Sequence, residues 1–251
     1  MIRKAELYSD IFTGCCLDKI KAINTDSIDV VVTSVPYNMN LRIRDGKYCS
    51  RQIVKEISTK YDSFDDNLPL EEYNDFHTKV LNELLRVTKH QIFYNIAVVT
   101  GSKRSLWQMI GDFRDYLKEI VVWDKGHGQP AMGDGVLNRQ SELILVFEKN
   151  NAISRKFDNA KFERGTLGDI WQINRQRSTH KANTAVFPDE LVCKILDNFT
   201  DPGDWVLDPF MGTGTTGVCS KLMGRNFIGC ELSPQLANHA KARIAGTLRL
   251  E

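Results

Sequence analysis

The chain has 251 residues, 42% of them hydrophobic and 26% charged, with a formal net charge of +1. That length can bury a substantial core in one large domain, and the near-neutral balance excludes a chain whose overall field gathers polyanions. MIRKAELYSD lacks the apolar centre of a signal peptide and no apolar run is long enough to span a bilayer; six cysteines without a CxxC pair fit reduced thiols in a cytoplasmic protein, with no metal site.

In chain order, IDVVVT (28–33) predicts a buried strand that runs into VPYN. Residues 39–66 are polar and weakly periodic, a long stretch of the kind that usually carries function. Within 41–60 six Lys/Arg face only Asp45 and Glu56, and a run of six acids follows at 61–75. A helix is predicted at 70–87, a strand at 91–97, a helix at 103–117 and a strand at 119–123. A glycine-rich polar segment (124–140) precedes a strand at 142–148, and 149–180 is again basic and weakly periodic. A helix at 188–199 opens on Pro188 with acids in its first turn, followed by a strand at 204–207, a helix at 214–223, a strand at 226–230 and a helix at 234–245. This alternation predicts an α/β fold, a mainly parallel sheet with helices on both faces. Trp123 and Trp171 read as packing residues and His127 as a loop histidine.

DPFMGTGTTG (208–217) joins a predicted strand to a predicted helix, and Gly212, Gly214 and Gly217 match GxGxxG. Alone, that match is equally a tight turn. Glu231, 17 residues after Gly214, ends the next predicted strand, where a carboxylate can accept both hydroxyls of a ribose. Only 34 residues follow Gly217, so the nucleoside-binding half is C-terminal and the order is permuted relative to a nicotinamide enzyme.

VVTSVPYN (31–38), then LDPFMGTGTT (207–216) and IGCELSP (228–234), resembles in this order the β-class amino DNA methyltransferases, which place the catalytic motif before the S-adenosylmethionine motif. GCCLDKIKAINTDSIDVVVTSVPYN, LLRVTKHQIFYNI and DIWQINRQRSTHKANTAVFPDEL carry the likeness over nearly the whole chain. The resemblance implies a Rossmann-like class I methyltransferase fold in one domain, 1–251, with a catalytic half (1–123), candidate target-recognition insertions (124–180) and a cofactor half (181–251). It implies S-adenosylmethionine contacts from Cys15, Asp208, Pro209, Phe210, Gly212, Thr213, Gly214, Thr215, Thr216 and Glu231. Ser34 and the Pro36 carbonyl would accept the two N–H bonds of an exocyclic amine, and Tyr37 would stack on a flipped base. Ser34 at the first motif position favours N4 of cytosine over N6 of adenine. Arg42, Arg44, Lys47, Arg51, Arg139, Arg175 and Arg177 are expected on double-stranded DNA. A restriction-modification setting implies a cognate endonuclease; members of such families often pair, so a homodimer is a partner to look for, and no membrane is expected.

The alternatives are N6-adenine methylation on the same scaffold, an RNA substrate, and a silent nucleic-acid-binding module that kept the cofactor fold. Two departures bear on them. Val35 replaces the first proline of the usual TSPPY, which predicts a less rigid backbone. Cys15 replaces the acid of the usual GDCL.

Overall fold

The computed structural model describes residues 7–38, 41–44, 47–50, 68–128, 134–176 and 187–248. Its centre is an eight-stranded sheet in the order β1 (Ser9–Thr13), β10 (Asn226–Glu231), β9 (Trp205–Asp208), β2 (Val30–Ser34), β5 (Gln91–Ile96), β7 (Ser141–Glu148), β6 (Leu117–Asp124) and β8 (Ile170–Gln172). β7 alone is reversed against its neighbours, so the sheet is mixed and mainly parallel. β9 and β10 are inserted between β1 and β2, so the late glycine segment lies beside the early VPYN segment.

Alternation along the strands builds two cores. Val31, Ile92, Tyr94, Leu145 and Leu207 face α1 (Cys16–Lys21), α2 (Leu70–Val87) and α3 (Lys103–Asp112). Val30, Val32, Phe93, Ile144, Val206 and Phe227 face α4 (Asp189–Phe199), α5 (Thr215–Leu222) and α6 (Pro234–Gly246). Each face of β2 is thereby covered, which explains its unbroken run of valines. A separate hairpin pairs β3 (Leu41–Arg44) with β4 (Lys47–Ser50) and lies within the weakly periodic stretch 39–66. Among the described residues no helix is long and apolar enough to cross a membrane.

The predicted strands are present to within a few residues. The helix expected over 103–117 ends at Asp112: the Phe113 N–H makes the last helical bond, to the Met109 carbonyl, and a turn closed by the Tyr116 N–H on the Phe113 carbonyl leads into β6. β1, α1 and β8 carried too little periodicity to be predicted. Trp123 and Trp171 are buried neighbours in register across β6 and β8, as packing residues should be.

Candidate active site

β2 delivers Ser34 to the carboxyl edge of the sheet. Its neighbour there is Asn95 on β5, and the Val35 N–H donates to the Asn95 carbonyl at 3.2 Å. A proline at 35 would lack that donor. Val35 instead has an amide that extends the ladder by one bond, and its side chain is buried.

Beyond Val35 the turn is irregular, and its polar backbone groups are taken up by side chains. The Tyr73 hydroxyl donates to the Pro36 carbonyl at 2.6 Å, the Ser102 hydroxyl to the Tyr37 carbonyl at 2.9 Å, and the Asn38 amide to the Leu68 carbonyl at 2.8 Å. Asn38 itself sits at φ 54°, where asparagine is tolerated. The Pro36 oxygen keeps a second lone pair for another donor. Tyr73 is steadied edge-on by His77, whose ring lies 4.3 Å away and shares a hydrogen bond with the Tyr94 hydroxyl. Burial pushes the His77 imidazole down to about 3, so it is neutral at ordinary pH and acts as a packing and hydrogen-bonding group.

Ser34 and Tyr37 belong to a polar cluster that sequence reasoning did not find. Their hydroxyl oxygens are 2.9 Å apart. Tyr37 donates to Glu142 Oε2 at 2.8 Å. The Asn95 amide nitrogen lies 2.6 Å from the Tyr37 oxygen, 2.9 Å from Glu142 Oε2 and 3.2 Å from the Ser34 oxygen. Lys125 closes the cluster with an ion pair to Glu142 Oε1 at 2.9 Å. Glu142 reaches this edge because β7 is reversed, so its first residues lie beside the last residues of its neighbours. The available signals were a polar Asn95 inside the apolar QIFYNI and an acid opening the apolar ELILVF. Tyr37 is only 8% exposed, and its hydroxyl points into the cluster.

The glycine segment lies on the other side of the β2–β9 junction, where the chain order of the sheet reverses and open α/β sheets bind ligands. Asp208, 4% exposed, is its hinge: Oδ1 accepts from Thr33 Oγ1 at 2.7 Å and the Phe210 N–H at 3.0 Å, and Oδ2 accepts from Thr216 Oγ1 at 2.7 Å. Burial pushes its carboxyl up to about 6 while these donors pull it down. Gly214 has φ +83°, and a Cβ there would meet Ala240 Cβ at 2.8 Å. At Gly217 an added Cβ would run into Ile244 and Phe227. The second and third glycines of the motif thus admit close packing of α5 against α6 and β10. Pro209, Thr213 and Thr215 are buried in the same segment, and Thr213 gives its carbonyl to Arg243 at 2.6 Å. Phe210 and Gly212 are half-buried, with Phe210 5.8 Å from Phe76.

Glu231 ends β10 opposite Thr13 and joins three loops. Its carboxylate accepts from the Gly212 N–H and the Ser233 N–H, both at 2.9 Å, and its carbonyl accepts from the Gly14 N–H at 2.9 Å. Cys15, next to Gly14, is exposed. α5 begins at Gly214 without a side-chain cap and without an acid in its first turn, so its leading N–H groups can receive an anion. A partly exposed carboxylate at the strand end and an uncapped helix start fit the hydroxyls and the carboxylate of an amino-acid-bearing nucleoside.

Of the basic residues, Arg139 and Arg175 are exposed, and Arg139 lies 3.4 Å from Thr100 Oγ1. Arg42, Arg44 and Lys47 are on the β3–β4 hairpin, with Arg44 opposite Lys47. Arg51 and Arg177 lie outside the described residues. Among the described residues no cluster of His, Cys, Asp and Glu could hold a metal ion.

Comparison with known proteins agrees with this layout. A family model described as DNA methylase matches residues 28–242. The chain is 30% identical to the type II methyltransferase M.MthZI of Methanothermobacter thermautotrophicus, over 89% of this chain and 73% of that protein. It is 27% identical to M.HinfI of Haemophilus influenzae, over 95% and 69% respectively. Among solved structures, the cytosine-N4-specific PvuII DNA methyltransferase shares its fold with a TM-score of 0.71 at 17% identity, over 94% of this chain and 86% of that one. A complex of M1.HpyAVI with S-adenosylmethionine shares it with a TM-score of 0.59 at 19% identity, over 94% and 99%.

Proposed function

The chain belongs to the DNA methylase family, and we propose that it transfers a methyl group from S-adenosylmethionine to the exocyclic N4 amine of a cytosine turned out of duplex DNA. One observation carries this reading. Ser34, held as an acceptor at the end of β2, and the segment from Asp208 to Thr216 meet across one strand junction at a single edge of the sheet.

S-adenosylmethionine, when bound, supplies an electrophilic sulfonium methyl. Glu231 would hold the ribose hydroxyls and the first turn of α5 the amino-acid carboxylate. The amine of a nucleobase is a poor nucleophile because its lone pair is delocalised into the ring. Two acceptors on its N–H bonds favour a pyramidal nitrogen, and Ser34 Oγ with the Pro36 carbonyl would provide them. Tyr73 fixes the direction of that carbonyl. Positioning of the amine in line with the methyl accounts for much of the rate. Ser34 at this position favours cytosine. The hairpin with Arg42, Arg44 and Lys47 follows the site in the chain and, with Arg139, Arg175 and the arginines at 51 and 177, would meet phosphates. Type II names among the relatives support a restriction-modification setting with a cognate endonuclease.

The test is transfer of labelled methyl from S-adenosylmethionine to mixed-sequence duplex DNA and to RNA of matched sequence, with cofactor binding followed by calorimetry. Cofactor binding and label in DNA alone are expected. DNA binding without transfer would point to a silent module, and label in RNA alone to a different substrate; either contradicts the proposal.

A further inference from the structure

We infer that Glu142 sets the direction of the hydrogen bonds around Ser34, so that this hydroxyl offers a lone pair, and not its proton, to the target amine. The inference rests on the function proposed above and adds a positioning residue to it.

The argument is a count of protons. An ionised carboxylate accepts hydrogen bonds and cannot donate. Glu142 is held as the partner of Lys125 at 2.9 Å, with side-chain exposures of 14% and 6% for the acid and the base. The groups facing its carboxylate are Lys125 from the end of β6, Tyr37 from the turn after β2 and Asn95 on β5. The nearby acid, Asp124, instead accepts from the Gly126 N–H at 2.9 Å. Each group that meets Glu142 must therefore bring a proton. Tyr37 has one, and it goes to Glu142. The Tyr37 oxygen can then only accept from Ser34, 2.9 Å away, so the single Ser34 proton is directed at Tyr37. Asn95 must likewise turn its NH2 toward Glu142, which also presents that nitrogen to the Tyr37 oxygen at 2.6 Å and the Ser34 oxygen at 3.2 Å; its two protons serve two of these three acceptors, and in every arrangement Ser34 keeps at least one lone pair.

What remains on Ser34 is a lone pair. An exocyclic amine has only N–H bonds to present while its nitrogen attacks, so an acceptor suits it and an outward O–H would oppose it. The polarity of the site is fixed three groups away, by a charge that does not touch the base.

Glu142→Gln tests this without a change of shape. A Gln amide can donate to the Tyr37 oxygen, after which Tyr37 can donate to Ser34 and free the Ser34 proton to point outward. The expected result is a fall of at least about tenfold in the single-turnover rate of methyl transfer, with S-adenosylmethionine affinity and the KM for DNA within about twofold of wild type. In a Tyr37→Phe background, which removes the hydroxyl between Glu142 and Ser34, the same change should cost less than about threefold. Equal losses in both backgrounds would show a merely structural role and overturn the inference. If Glu142→Gln unfolds by leaving the Lys125 ammonium buried without its partner, Lys125→Met/Glu142→Gln carries the same cycle. An active wild type whose Glu142→Gln variant keeps its rate would overturn this inference alone; a wild type that transfers no methyl group would overturn the functional reading with it.

Discussion

Asp208→Ala is expected to lose about 3–5 kcal/mol of stability and, with it, the cofactor half of the site. Three buried donors depend on this carboxylate: Thr33 on β2, Thr216 in the first turn of α5 and the Phe210 N–H between them. Each donor left without a partner costs about 1–3 kcal/mol, and the costs overlap because the three share one group. Asp208→Asn keeps an acceptor oxygen and should lose far less. Burial raises the Asp208 carboxyl to about 6 in the folded chain against an ordinary value of 3.8. Between those values the folded chain retains a proton that the unfolded chain has given up. By linkage this group's contribution to stability therefore falls as pH rises from 3.8 through about 6, and is level above that. Urea unfolding should show wild type losing stability relative to Asp208→Asn between pH 4 and pH 7.5, a comparison in which the opposite contribution of His77, common to both, cancels.

Tyr37→Ala is expected to lower turnover by about 100-fold or more, while S-adenosylmethionine affinity changes by less than about threefold. The sequence assigns this ring to a flipped base, with about 1–3 kcal/mol available from stacking. In the structure most of the ring is buried, and its hydroxyl holds Ser34, Asn95 and Glu142 together. Tyr37→Phe separates the two roles, since it keeps the ring and removes the hydroxyl. A loss of about tenfold in Tyr37→Phe, and a further loss in Tyr37→Ala, is expected if the hydroxyl is the anchor. Wild-type turnover in Tyr37→Phe would leave stacking as the whole contribution. Normal turnover in Tyr37→Ala would remove the residue from the mechanism.

These two residues also show what was readable in advance. Asp208 and the glycines stand in one short segment, Glu231 ends the next strand, and Ser34 to Tyr37 stand in a third segment, so each is visible as a local pattern. That they meet depends on β9 and β10 entering the sheet between β1 and β2, a strand order that the permuted motifs alone do not specify. Lys125 and Glu142 were invisible because their positions follow from the reversal of one strand, and nothing in ELILVF states its direction. Asn95 was visible as a polar residue in an apolar strand but had no stated partner. At Val35 a proline's rigidity is a local property readable in the sequence, whereas the hydrogen bond its absence permits is made to Asn95 on a neighbouring strand and is not. The glycine spacing is visible in the sequence, but not that Gly214 and Gly217 admit α6 and β10. The hairpin at 41–50 is a missed signal: LRIR alternates apolar and basic residues and leads into Asp-Gly, a pattern that reads as a hairpin.

The central claim is that the methyl group arrives on an exocyclic amine held by Ser34, and that the base is cytosine. Its most direct measurement is mass spectrometry of the nucleosides released from mixed-sequence duplex DNA after incubation with the wild-type protein and S-adenosylmethionine. The account predicts N4-methyldeoxycytidine as the one new nucleoside. N6-methyldeoxyadenosine in its place would contradict the choice of base, and 5-methyldeoxycytidine would contradict the chemistry assigned to Ser34 altogether.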